Sequence, residues 1–177
     1  MSNTDTPFVY SDNVIEFVTV AVQTCIMLEH SQEQDKNTFL EQLIQVLPLL
    51  YFKTRILKRP EQEIDGYNEL YVAEEDYISV MNGIQHHLSE EDTYIKAYAD
   101  KGRYTGETMS GSISEDIADI YQELKNMAGN YQTQFEDIME SAVLTCLEAF
   151  YEHWGEKLLN AMRALHLLLE ANRWEEI

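Results

Sequence analysis

The chain has 177 residues, of which 45% are hydrophobic and 25% charged. This length suits one domain with a real core, and the composition is too apolar for a disordered chain. The 32 acidic side chains outnumber the 12 basic ones and give a formal net charge of -20. Such a field repels phosphate backbones and anionic lipids, so it disfavours direct binding to nucleic acid or a membrane surface. A basic protein partner, a cation, or a role in solubility alone fits the charge.

The two cysteines, Cys25 and Cys146, lie in apolar periodic segments with no Cys or His nearby at metal-ligand spacing. Free cysteine behaves as a small hydrophobe, so we expect two buried, reduced thiols. The start of the chain has no basic region, and charged or polar residues interrupt its first apolar stretch. We therefore expect no signal peptide and no membrane span, and predict a cytoplasmic protein.

Helical periodicity dominates the first third of the chain. A central helix is predicted over 11–30, because its polar residues share one narrow arc. A second helix is predicted to begin at Thr38, which has Glu41 at capping-box spacing. Pro48 cannot donate to the carbonyl of Ile44, so we predict a kink there within one helix.

The middle of the chain is more polar. Residues 58–72 form a predicted connection with Pro60 and Gly66 as breakers. Two short helices are predicted to follow, over 73–88 and 89–100. A glycine-containing loop then leads to the last third.

The last third is the most regular. One helix is predicted from Ser112 or Ser114 to Gly129, and another from Thr133, which has Glu136 at capping-box spacing. Gly155 predicts a bend or brief break before a final helix. No strand-like alternation of useful length occurs.

These elements predict an all-α fold. We expect an antiparallel bundle of four or five long helices, with the two short helices packed on one side. We also expect residues 1–177 to form one domain, in which 1–10 are flexible or extended.

Several sequence blocks resemble a known family in order and over nearly the whole chain: VIEFVTVA, LPLLYFK, EEDY, SISEDIADIYQELK and YEHWGEKLLNAMRALH. They resemble the Bacteroidetes family designated domain of unknown function 5063. The resemblance implies a bacterial, cytoplasmic, helical protein, and it brings no assigned catalytic residue.

The helix SISEDIADIYQELK carries the first candidate site. Asp116, Asp119 and Glu123 form a stripe at three- and four-residue spacing beside the apolar face, whereas Glu115 points away from it. The stripe has three interpretations: a solvated boundary, structural ion pairs, or a ligand or metal site. The candidate basic partners from other helices are Lys157, Lys53 and Arg163.

Two adjacent histidines, His86 and His87, are the candidate metal ligands, with oxygens available from residues 90–92. The alternative is a pair of solvated histidines that interact favourably with a helix C-terminus. A di-metal centre of the bundle type requires Glu-x-x-His motifs, and no histidine here has Glu three residues before it.

The glycine spacing of the loop GETMSGS is similar to that of a phosphate-binding loop, but serine occupies the position of the motif's lysine. A weaker anion site would use Lys101 and Arg103 with the following helix N-terminus. No catalytic constellation is evident, and we predict no cofactor.

Two functional hypotheses remain. The first is a non-catalytic acidic interaction or regulatory domain that binds a basic protein, with Tyr67, Tyr71 and Tyr104 supplying contact area. The alternative is a protein that binds a small ligand or divalent metal through the carboxylate stripe or the paired histidines. Self-association stays open.

Overall fold

A computed structural model describes residues 6–60, 66–96 and 109–175. The described chain is mostly helical, as predicted. Its long helices are α1 (Asp12–Glu29), α2 (Lys36–Arg55), α3 (Glu74–Leu88), α4 (Ile113–Tyr131), α5 (Glu136–Ala149) and α6 (Gly155–Glu175). Short 3-10 turns span Phe8–Tyr10, Ser31–Glu33 and Ser89–Asp92.

Helix α4 is the centre of the bundle and packs against α1, α3, α5 and α6. Its apolar positions recur at helical spacing and are buried, including Ile113, Ile117, Ile120 and Leu124. Burying such a stripe removes apolar surface from water, which is the main stabilising contribution to a helical fold. The predicted core face of this helix is confirmed.

The start of α2 differs from the prediction. Asp35, rather than Thr38, is the N-cap residue, and its carboxylate accepts a hydrogen bond from the Thr38 N–H at 3.0 Å. This interaction satisfies one of the free N–H groups of the first turn. The helix continues through Pro48, so residues 36–55 form one element as predicted.

Between α5 and α6 the chain stays helical. The predicted cap at Thr133 is wrong, because α5 begins at Glu136 with Phe135 as its N-cap. The irregularity expected at Gly155 is a π-helical segment, Phe150–Trp154, which ends directly before that glycine. Trp154 Nε1 donates to the Cys146 carbonyl oxygen at 2.9 Å and anchors this segment in the core.

The second short helix predicted over 89–100 is also wrong. After the 3-10 turn, β1 (Thr93–Ile95) pairs antiparallel with β2 (Ser110–Ser112), and Tyr94 lies opposite Gly111. Residues 97–108 lie outside the described part of the chain. Local periodicity did not reveal this pairing, since each strand has three residues.

The expectation that residues 1–10 are flexible or extended is wrong for 8–10. These residues form the turn Phe8–Tyr10, in which Val9 is buried. Tyr131 Oη donates to the Val9 carbonyl oxygen at 2.5 Å, which attaches the turn to the end of α4.

Candidate functional site

The three acids of the stripe on α4, Asp116, Asp119 and Glu123, form a polar seam along the helix. Each of them contacts side chains from other elements of the bundle. Asp116 accepts a hydrogen bond from the hydroxyl of Tyr94 on β1. Asp119 accepts one from Tyr77 Oη on α3 at 2.8 Å and pairs with Lys157 on α6. The structure therefore brings the three predicted acids together with partners from around the bundle.

Asp116 is the most buried acid of the seam. Burial raises the pKa of its carboxyl group, because removal from water disfavours the charged form. The hydrogen bond from Tyr94 opposes that change, and burial raises the pKa of the Tyr94 phenol in turn. The position of Asp116 at the core edge agrees with the sequence prediction.

The basic side chains predicted as partners of the stripe have different environments in the structure. Lys157 reaches Asp119, whereas Lys53 pairs with Glu16 on α1. Arg163 is exposed and makes no ion pair with the stripe among the described residues. Glu123 instead lies beside His153, with its Oε1 atom 3.5 Å from Nε2 of the ring.

The two candidate metal-binding histidines face different environments. His87 is buried, hydrogen-bonds through Nε2 to the Ser31 carbonyl oxygen at 2.7 Å and stacks on Phe39, whereas His86 is exposed. The nearby carboxylate of Asp92 accepts from Ser114 N–H at 2.7 Å. In the described ranges, no group of three or more His, Cys, Asp and Glu side chains could hold a metal.

The candidate anion ligands, Lys101 and Arg103, lie outside the described residues, as does Tyr104. The anion site and the contribution of that tyrosine therefore stay predictions. Ser112, at the end of the loop, is the N-cap of α4 and accepts from the Glu115 N–H at 3.2 Å.

Sequence reasoning missed a further feature, the strap, which we define as residues 66–73. It has no regular secondary structure and runs along α4. Asn130 Oδ1 accepts from the Glu69 N–H at 2.9 Å, and Asn126 Oδ1 accepts from the Tyr71 N–H at 2.7 Å. Because irregular backbone needs hydrogen-bond partners, these two amides fix its path. Their four-residue spacing is the one signal in the sequence that places them on the same helix face.

The start of the strap is held by α5. Ser141 Oγ donates to the Gly66 carbonyl oxygen at 3.0 Å, and a Cβ atom on Gly66 would overlap the Ser141 side chain. Further along, Tyr71 packs against Gly129, where a Cβ atom would overlap its ring. The strap therefore lies close to both helices because small residues permit the contact.

Several concave regions border the strap, including one beside Tyr77 and Asp119. On the α1 side, an apolar groove of 350 Å³ is lined by residues that include Val22, Ile26 and Tyr71. On the α5 side, a smaller and more polar pocket of 140 Å³ includes Asn68 and Glu123.

Both cysteines are buried and unpaired, as the sequence predicts. Burial raises the pKa of Cys25, beside the groove, to about 12, and raises that of Cys146 as well. The thiolate is the reactive form, so neither group is poised as a nucleophile.

These features define an all-α bundle protein whose central helix carries a polar seam and an overlying strap. A family model described as "Domain of unknown function (DUF5063)" matches residues 8–171, and the chain belongs to that family. The predicted resemblance is confirmed.

The chain is also similar to a solved structure, that of protein BF1032 from Bacteroides fragilis. The two are 36% identical with a TM-score of 0.79, and the match covers 90% of this chain and 93% of the other. No curated protein matches the chain. None of the described helices is sufficiently long and apolar to cross a membrane.

Proposed function

We propose that this protein is a non-catalytic, acidic interaction domain whose strap binds a basic protein partner. The strap itself carries the proposal. Its backbone is fixed to α4, yet Tyr67 and Leu70 are 80% and 84% exposed. Large apolar side chains on an ordered backbone supply contact area with little additional loss of entropy on binding. Tyrosine is enriched at protein interfaces for this reason.

Negative charge adjoins these side chains. Glu69 lies within the strap, and Glu74, Glu75 and Asp76 follow it in the first turn of α3, where all are exposed. Much of the positive charge in the described part of the chain is already paired with acids, as in Lys36–Glu91, Lys53–Glu16, Arg59–Glu148, Lys125–Glu29 and Lys157–Asp119. A basic partner complements this surface and associates faster at low salt.

The test is quantitative capture of partners from native lysate of the source organism at low and high salt. We expect a basic protein to be enriched by the wild type, and the double variant Tyr67→Ala/Leu70→Ala to reduce its recovery at least about tenfold. Recovery should also fall at high salt, because screening weakens charge attraction. The control is Phe52→Ala, which removes an exposed aromatic side chain on α2.

The proposal is overturned if no protein is enriched at low salt. It is also overturned if the strap variant and the α2 control retain the same protein equally. Both variants alter exposed side chains, so circular dichroism should show the wild-type helical content in each.

A further inference from the structure

Helix α1 is apolar on two faces, and the bundle covers one of them. Phe17 and Cys25 belong to the face that is buried in the core. On another face, Ile15 and Ile26 are 45% and 44% exposed, and Val22 between them is partly buried. We define these last three residues as the outer stripe, since spacings of seven and four residues keep them on one side of the helix. At 1.5 Å per residue the stripe is about 16 Å long, or three turns.

The outer stripe forms part of the apolar groove on the α1 side of the strap. Helix α4 supplies the facing wall with Lys125, Ala128 and Gln132, which are spaced three and four residues apart. The ring of Tyr71 closes one edge of the groove, whose volume is 350 Å³. The groove therefore runs between two helices and offers apolar walls on both sides.

The backbone of these walls selects the conformation of an occupant. The N–H and C=O groups of α1 and α4 are paired within each helix, so they offer no partners to an extended peptide. The amides that bind extended backbone on α4, Asn126 and Asn130, are already occupied by the strap. An extended chain in the groove would thus lose water from its polar groups without replacement. A helix pairs its own backbone and can bury an apolar stripe between two other helices.

Charge around the groove favours a basic occupant. Lys125 Nζ pairs with Glu29 Oε1 at 2.5 Å, so the lysine in the wall presents little net positive charge. Exposed acids lie along the edge that the strap forms: Glu69 is two residues before Tyr71, and Glu74 is three residues after it. A helix with apolar residues on one face and lysine or arginine on the other complements both the groove and this edge.

We propose that the groove between α1 and α4 docks an amphipathic helix of the basic protein partner. The apolar face of that helix packs on the outer stripe, and its basic residues lie toward the acids of the strap and of α3. Tyr71 belongs both to the strap and to the groove, so it joins this site to the surface of Tyr67 and Leu70. The inference rests on the proposed function and adds the mode by which the partner binds.

The test is a titration of the full chain with three synthetic peptides of about 14 residues, or four helical turns. The first peptide has leucine and lysine at helical spacing. The second has the same composition in strict alternation, which gives the same charge without an apolar helix face. The third has the helical pattern with glutamate in place of lysine. NMR signals of the Val22 and Ile26 methyl groups measure binding.

We expect the first peptide to bind at least about tenfold more tightly than either of the others. Equal binding of the two leucine–lysine peptides would overturn the proposal, because it would show attraction to the acidic surface alone. Equal or tighter binding of the glutamate peptide would overturn the basic character of the occupant. Absence of saturable binding by the first peptide would overturn helix docking altogether.

Variants of the outer stripe examine the assigned contacts. Val22→Ala/Ile26→Ala should weaken binding of the first peptide at least about tenfold, because it removes apolar contact area without changing charge. The matched control is Leu49→Ala/Phe52→Ala, which removes two exposed apolar side chains on α2 and should leave binding within about twofold. Equal losses in the two variants would contradict the assignment. If the double variant fails to fold, Ile26→Ala alone replaces it, since that side chain is exposed.

Capture from lysate separates this inference from the proposed function. Val22→Ala/Ile26→Ala should lower recovery of the basic protein at least about tenfold, as Tyr67→Ala/Leu70→Ala does. Full recovery by the groove variant, together with loss by the strap variant, would overturn helix docking and leave the role of the strap intact. A wild type that enriches no protein would overturn the proposed function, whereas a groove that does not discriminate among the peptides would overturn this inference alone.

Discussion

Asn130 and Glu69 exchange two hydrogen bonds: Asn130 Nδ2 donates to the Glu69 carbonyl oxygen at 2.8 Å, and Asn130 Oδ1 accepts from the Glu69 N–H at 2.9 Å. Asn130 is buried on α4, so its side-chain amide replaces the backbone partner that a neighbouring strand would supply. Through this pair the strap becomes part of the bundle without forming a helix or a strand.

The Asn130 contact should govern the order of the strap. We expect Asn130→Ala to lower the free energy of unfolding by about 1–3 kcal/mol, because it leaves the Glu69 backbone groups without this partner. Amide hydrogen exchange in residues 66–73 should accelerate. Urea unfolding and exchange mass spectrometry measure the two effects. The control, Gln132→Ala at the exposed position directly after the same helix, should change stability by less than about 0.5 kcal/mol.

The close contact of the Tyr71 ring with α4 should require glycine at position 129. Alanine favours a helix over glycine by about 1 kcal/mol, but here its Cβ atom would overlap the Tyr71 ring. We therefore expect Gly129→Ala to be neutral or destabilising in the wild type and stabilising in a Tyr71→Ala background. Thermal unfolding of the two single variants and the double variant measures this coupling. Stabilisation by Gly129→Ala in both backgrounds would show that the ring moves away at little cost.

The buried carboxyl group of Asp116 should make stability depend on pH in an unusual direction for an acid. Its folded-state pKa is raised by burial, so between the unfolded and folded pKa values the folded chain binds the proton more tightly. Its contribution to stability is therefore present at low pH and lost as pH rises through that interval. We expect the stability of Asp116→Asn relative to the wild type to increase as pH rises.

Urea unfolding from about pH 4 to neutral measures this difference. Asparagine keeps an acceptor for Tyr94, so the variant changes the charge with little change in shape. Glu115→Gln serves as the control, since that side chain is exposed, and its relative stability should not rise over the same range. A flat or falling difference for Asp116→Asn would contradict the prediction.

The pair Lys157–Asp119 should contribute a modest, salt-sensitive coupling between α6 and α4. Both side chains are about one-third exposed, at 34% and 30%, so water screens their attraction. A double-mutant cycle with Lys157→Met and Asp119→Asn should give about 0.5–1 kcal/mol at low salt, and less at about 1 M salt. The more exposed pair Lys36–Glu91 is the control, and it should give a smaller coupling. If the coupling is no larger than that of the control pair, the ion pair with Lys157 adds nothing specific. The stabilising contact of Asp119 is then its hydrogen bond with Tyr77.

The candidate site was only partly predictable. Spacing along α4 predicted that Asp116 lies at the core edge, because residues three and four apart share a helix face. Lys157 was one of three candidate basic partners for the stripe, together with Lys53 and Arg163. The sequence did not distinguish Lys157, which pairs with Asp119, from Lys53, which pairs with Glu16, since that choice depends on how the helices are arranged. That residues 1–177 form one domain and that a basic protein is the partner remain predictions.

The sequence by itself determined the helical class, the family and the apolar face of α4, since helical periodicity and burial are recorded locally in the order of residues. Tertiary structure decided the strand pair at Tyr94, the partners of each acid and the path of the strap. These features depend on residues far apart in the chain, such as Asn130 and Glu69, which are 61 positions apart. Local patterns carry no information about such contacts, because packing of the whole bundle brings the partners together.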